Sequence, residues 1–138
     1  MGLRGECRMG PIWREVRLMH AVARLALHPH IGSIQTSWVK LGPMGAAACL
    51  EGGANDLGGT LMNESISRAA GADHGEEFPP QQMEVLIWSL GRVPRQRTTL
   101  YGDVPAHILA AGRSAAVLAP IVQTPVTKNR EKVKTDVE

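Results

Sequence analysis

Three short polar runs carry the residues in this chain that could do chemistry: Gln35, Ser37 and Lys40, then Asn55, Asp56, Gly58, Gly59 and Thr60, and finally Glu64. Gln35 and Ser37 are two residues apart, so in an extended segment they share one side of the pleat. There they either orient a small polar ligand or hydrogen-bond within the protein. Lys40 reads as a ligand contact or as a solvated loop lysine. The Asn55-Asp56 pair can bind amide or hydroxyl groups at the outlet of a strand, or simply close an Asx turn. Gly58-Gly59 ahead of Thr60 would let backbone amides approach a ligand, and is equally compatible with a tight turn. Glu64 can accept a hydrogen bond, act as a base, or favour the positive end of a helix. Spacing alone assigns no catalytic residue.

Metal chemistry finds less support. His28 and His30 have a strand-like spacing, but no carboxylate or cysteine lies beside them, and they flank Pro29 as surface residues do. His20, His74 and His107 are scattered. The two cysteines, Cys7 and Cys49, form neither a disulfide framework nor a metal-ligand spacing, which fits a reducing, cytoplasmic setting. No metal site is expected from these residues.

The elements that must position the polar runs follow from periodicity. Pro11 to Leu27 reads as an amphipathic helix, with Leu18, Val22 and Leu25 on one face and a solvated Arg14, Arg17, Arg24 stripe on another. Pro29 ends it. Ile31 to Trp38 reads as a strand with Ile34, Thr36 and Trp38 on one side. A helix from Pro43 stops at Gly52-Gly53, and Ala54 to Thr60 holds a very short strand that runs into a glycine turn. A helix then opens near Asn63 and Glu64 and closes at Gly71. Asp73 to Phe78 reads as a loop. Pro79-Pro80 starts a helix with Met83, Leu86, Ile87 and Leu90 at core spacing, capped by Gly91. Gln96 to Tyr101 reads as a third strand. Trp38 and Trp88 are assigned to packing. Residues 106–138 read as a disordered tail, with a weak helical tendency from Ile108 to Ala119.

Alternating strands and helices imply an α/β chain with a parallel sheet, and polar, glycine-rich strand outlets are where such folds collect ligands. Three parallel strands leave two open sheet edges, and a complete (βα)8 barrel takes about 250 residues. With 138 residues, the chain is expected to be an incomplete barrel over 1–105. A net charge of +2 and only 4% aromatic residues disfavour nucleic-acid partners, and no stretch is long and apolar enough to span a membrane.

Ile34-Gln35-Thr36-Ser37-Trp38-Val39-Lys40-Leu41-Gly42 and Gly53-Ala54-Asn55-Asp56-Leu57-Gly58-Gly59-Thr60-Leu61-Met62-Asn63-Glu64-Ser65-Ile66 resemble the FO synthase family. Leu18-Met19-His20-Ala21-Val22-Ala23-Arg24 before them and Arg95-Gln96-Arg97-Thr98-Thr99-Leu100-Tyr101-Gly102 after them keep that family's order, over about residues 10 to 102. The resemblance implies the C-terminal portion of a radical-SAM (βα)8 TIM barrel. It implies a [4Fe-4S] cluster and S-adenosyl-L-methionine in the intact enzyme, which generates a 5′-deoxyadenosyl radical. It also implies transfer of the 4-hydroxybenzyl part of L-tyrosine to 5-amino-6-(D-ribitylamino)uracil, building a deazaflavin. Gln35, Ser37, Lys40, Asn55, Asp56, Gly58, Gly59, Thr60 and Glu64 then become substrate-contact candidates.

The family's Cys-x3-Cys-x2-Cys cluster motif is absent, so the chain is expected to be inactive alone and to need the N-terminal part of the barrel. A radical-SAM enzyme of the futalosine route to menaquinone shares a Gly-Ala-(Asn/Asp)-Asp segment, but Leu57 to Glu64 favours FO synthase. From another class, a non-catalytic binding or interaction module would retain the same polar outlets.

Overall fold

The structure is a computed structural model that describes residues 10–61, 64, 66–69, 74 and 77–116. Five helices run in chain order: α1 (Trp13–Leu27), α2 (Trp38–Glu51), α3 (Ile66–Ala69), α4 (Pro80–Ser89) and α5 (Ala106–Ser114). α2 is central, with α1 and α4 packed on it and α5 packed on α4.

The central position of α2 follows from its sequence. Its small residues let neighbours approach closely, and Ala46, Cys49 and Leu50 join Trp38, Val39, Ala54, Leu57, Phe78 and Met83 in the core. Gly42 breaks the helical path at φ 68° and ψ 172°, so Trp38–Leu41 is one turn and the main helix restarts at Pro43. Proline suits that first position because its missing N–H would have no partner there. Trp38 is 2% exposed and tilts against Phe78 with ring centroids 5.4 Å apart. In α4, Met83 is buried while Leu86, Ile87 and Leu90 pack on the core, as their spacing predicts. Gly91 follows at φ 68°, the left-handed conformation that ends a helix.

The expected strands are corrected: among the described residues there is no strand ladder. Gln35 and Asp56 form a single parallel bridge, and Arg97 and Asp103 a single antiparallel one. Alternation nonetheless holds from 34 to 38, with Ile34, Thr36 and Trp38 buried and Gln35 and Ser37 exposed. The first pairing is short because α2 begins at Trp38 and because Gly58 turns the second segment at φ 77°. The expected third strand is a tight turn. Thr98 donates its N–H to the Gly102 carbonyl at 2.9 Å, its own carbonyl accepts from the Tyr101 N–H at 3.0 Å, and Tyr101 takes φ 63°.

The apolar face of α1 at Leu18, Val22 and Leu25 is exposed, and α1 turns Val16 to the core, with His20 and Ala23 half-buried. Three further readings change. Arg24 is no solvated stripe residue, since it donates to the carbonyls of Gly53 at 2.8 Å and Gly32 at 3.0 Å. Trp88, one position off the α4 core stripe, is 56% exposed. The tail assigned to disorder begins with a helix: α5 is tied to α4 by an ion pair from Arg113 to Glu84 at 2.7 Å and by the Gln81 amide donating to the Arg113 carbonyl. Cys7, Asn63, Gly71, half of the 73–78 loop (73, 75 and 76) and residues 117–138 lie outside the described residues. No described helix is long and apolar enough to cross a membrane.

Candidate functional site

Arginines from three different places hold the segment that follows α2. Arg24 on α1 binds the Gly53 carbonyl, Arg92 after α4 donates to the Ala54 carbonyl at 3.0 Å, and Arg97 reaches Asp56. The Arg97 guanidinium puts Nε at 2.8 Å and an Nη at 2.5 Å from the same Asp56 oxygen. The other Asp56 oxygen accepts the Gly58 N–H at 2.8 Å, closing an Asx turn. A carboxylate this shielded, with 8% of its side chain exposed, needs that much compensation. Below it, the Tyr101 ring faces the Arg97 guanidinium carbon at 4.2 Å.

Asn55 is committed in the same way. Its Oδ1 accepts the Ile34 N–H at 2.8 Å and its Nδ2 donates to the Gly32 carbonyl at 3.0 Å, which fixes the register of the extended segment. The Thr36 N–H donates to the Asp56 carbonyl at 2.8 Å, and the Asn55 N–H to the Ile34 carbonyl at 3.0 Å. Trp38 Nε1 donates to the Gly59 carbonyl at 3.0 Å, so the start of α2 is tied to the glycine turn.

A cleft of about 620 Å³ opens at this outlet, with Gln35, Asn55, Asp56, Gly58, Gly59 and Thr60 in its wall. Met83 and Ile87 of α4 add apolar surface to the lining, and Arg92, Arg95 and Arg97 also line the cleft. A lining that combines apolar side chains with a polar, glycine-rich run suits a flat ligand carrying hydrogen-bonding edges. Gly58 is required there twice over. Its φ of 77° disfavours a side chain, and a Cβ would lie 2.3 Å from the Gln35 amide nitrogen.

Ser37, Lys40 and Glu64 fall outside that wall. Lys40 donates to the Ser67 hydroxyl at 2.9 Å, and the Glu64 carboxylate accepts the N–H groups of Ile66 at 3.1 Å and Ser67 at 3.1 Å. Desolvation raises the Glu64 carboxyl, but hydrogen bonds from Ser67 and Ile66 and the Lys40 charge outweigh it, leaving the group below its ordinary 4.5. Ser37 is exposed just ahead of α2, where its carbonyl rather than its hydroxyl meets the helix. The structure therefore gathers six of the nine candidate residues in one cleft and places the rest around the start of α2 and α3.

Sequence reasoning passed over Arg92 and Arg97. The signal was Asp56 itself: an acidic residue at a half-buried outlet needs a cation, and the arginine-rich run at 92–97 offers one. Cys49 is fully buried among apolar residues, so its thiol cannot reach an iron–sulfur cluster, and this chain's described residues do not fit that group. Among the described residues no three His, Cys, Asp or Glu side chains converge as a metal site.

Comparison with known proteins places the same stretch in a family. Residues 12–108 match the CofH/MqnC C-terminal region. The chain belongs to that family. Among curated members, it is 54% identical over 103 residues to the FO synthase of Streptomyces avermitilis, covering 75% of this chain and 12% of that protein. It is 50% identical over 113 residues to the FO synthase of Nocardia farcinica, covering 80% of this chain and 13% of that one. It is 48% identical over 103 residues to 5-amino-6-(D-ribitylamino)uracil--L-tyrosine 4-hydroxyphenyl transferase 1 of Methanosarcina barkeri, covering 70% of this chain and 27% of the transferase. The chain thus spans only a small part of each of these relatives. No solved structure matches it. The CofH/MqnC C-terminal region, as folded here, contains the whole cleft wall from Ser33 to Thr99.

Proposed function

We propose that this chain supplies the late part of an FO synthase-type radical-SAM barrel and one wall of the pocket in which a 4-hydroxybenzyl group from L-tyrosine is joined to 5-amino-6-(D-ribitylamino)uracil. The observation that carries the reading is the cleft itself. It opens at the parallel pairing of Gln35 with Asp56, and its wall falls within the matched CofH/MqnC C-terminal region. Ligand sites in parallel α/β folds gather at such outlets.

Within that pocket the cleft residues divide by their commitments. Asn55 and Asp56 have their side-chain oxygens engaged with Ile34, Gly58 and Arg97, so they shape the wall. Gln35 and Thr60 present an amide and a hydroxyl from the same wall and are proposed to orient the uracil edge. Gly58 and Gly59 keep side chains out of the space the ring needs. Lys40 and Glu64, with Ser37 nearby, support the loop that follows from outside the cleft. In the intact enzyme a [4Fe-4S] cluster and S-adenosyl-L-methionine would supply the radical, with every cluster ligand coming from outside this chain. The chain's own share is to bind and orient.

The test is reconstitution. The part of the Methanosarcina barkeri transferase that precedes the shared region is combined with this chain, loaded anaerobically with iron and sulfide, and given S-adenosyl-L-methionine, tyrosine and the diaminouracil. Joined product is expected, no product from this chain alone, and a higher KM for the diaminouracil in Gln35→Ala and Thr60→Ala assemblies. A fully cluster-loaded assembly that forms no product would overturn the reading.

A further inference from the structure

A surface that the cleft does not explain lies on α1. Its inward side is narrow: Val16 meets the core and His20 and Ala23 are half-buried. Roughly opposite on the helix, at 100° per residue, lies a broader apolar stripe. Leu18 is 56% exposed, Met19 62%, Val22 52% and Leu25 81%. Leu27 and Ile31, further along the chain, are also exposed, at 39% and 48%. An apolar stripe of this kind along one helix face marks an interaction surface.

Among the described residues, the extended segment also has an edge without a backbone partner. The Ile34 carbonyl and the Thr36 N–H point toward Asn55 and Asp56. Backbone groups alternate along a strand, so the N–H and carbonyl of Gln35 point to the other side. The existing pairing is parallel, and a right-handed crossover through α1 would come from a strand lying along that same open edge. α1 would cover that strand and pack beside the helix preceding it. The stripe and the edge therefore call for one occupant: a βα unit leading into α1. The relatives possess such chain, because the shared stretch is a C-terminal region covering 27% of the transferase. A second copy of this chain fits less well. Symmetric contact on the stripe would bring the flanking, exposed Arg14 side chains of both copies together, and like charges at an interface are costly.

We infer that the Leu18, Val22 and Leu25 stripe of α1, with the open backbone edge at Gln35, is the docking surface for the βα unit that precedes this region in the transferase relatives. The inference rests on the barrel reading and adds where the two parts join. It is tested by titrating this whole chain with the preceding part of the Methanosarcina barkeri transferase and measuring the complex by analytical ultracentrifugation. Expected are a one-to-one complex, a loss of affinity of roughly 10- to 100-fold in Leu18→Asp/Val22→Asp, and unchanged affinity in Met44→Asp, a similarly exposed apolar site on α2. Circular dichroism should show all variants folded alike, since each site is at the surface. Amide exchange at Gln35 should slow on complex formation.

Equal binding by the stripe variant, loss of binding by Met44→Asp, self-association through the stripe, or no complex at all would overturn the inference. Product from an assembly that tolerates the stripe variant would do so while leaving the barrel reading standing. A stripe-dependent complex that is cluster-loaded yet inactive would do the reverse.

Discussion

Arg95 and Arg97 are two residues apart, and each places a guanidinium nitrogen 2.5 Å from an aspartate oxygen. Their settings differ. Arg95 and Asp103 are 67% and 86% exposed, a pair across a surface turn, whereas Arg97 and Asp56 are 28% and 8% exposed and join segments 41 positions apart. Water screens the first pair, and holding two mobile side chains offsets most of its attraction. The second was taken out of water when the chain folded, so each partner depends on the other. Identical distances therefore describe unequal interactions. The one at Asp56 also determines the shape of the cleft.

The comparison breaks most visibly at Asp56. Asp56→Ala leaves Arg97 without its counter-charge and the Gly58 N–H without its acceptor, and should cost about 2–4 kcal/mol in urea unfolding of the chain. Asp103→Ala should stay within about 0.5 kcal/mol in the same measurement. Equal losses would mean that burial does not distinguish the pairs. Next comes Gly58→Ala. A left-handed φ costs a non-glycine residue about 1–2 kcal/mol, and the new Cβ must displace the Gln35 amide. The same substitution should alter ligand affinity in the reconstituted enzyme even where stability is recovered at low temperature. Arg97→Lys should cost about 1 kcal/mol, because an ammonium keeps the charge but gives up the fork on Asp56 and part of the stacking on Tyr101.

What could be read in advance follows the range of the forces involved. The α4 stripe of Met83, Leu86, Ile87 and Leu90 was legible because one helix face meets one core. Alternation at Ile34, Thr36 and Trp38 was legible for the matching reason in an extended segment. The apolar stripe of α1 was legible, but what it meets was not: it is not the face toward this chain's own core, and periodicity reports apolar faces without saying what covers them. The Gln96–Tyr101 run carried strand-forming residues, yet Thr98 satisfies the backbone locally through its hydroxyl, carbonyl and N–H, and a turn results. In the site, the polar outlet was visible as a cluster. That Asn55 and Asp56 are occupied by Gly32, Ile34 and Arg97 was not, since those partners depend on tertiary placement. Chemical type is local, whereas availability is set by distant neighbours.

The smallest expected effect sharpens the comparison from the local side. Glu64 is also an acceptor with cationic help, but its donors are the N–H groups of Ile66 and Ser67, two and three residues on. Its carboxyl lies below the ordinary 4.5 in the folded chain, so the ionised form is the one that folding favours. Stability from this group is therefore present above about 4.5 and is lost as pH falls through the lower folded value. Amide exchange at Ile66 and Ser67 should quicken over that acid window. In Glu64→Gln, which keeps an acceptor but no titrating charge, exchange at Ser67 should lose its dependence on acid. If Glu64→Gln instead left the acid dependence at Ser67 unchanged, the Glu64 carboxylate would not be what protects that amide, and the contrast between a distant clamp and a local cap would not hold.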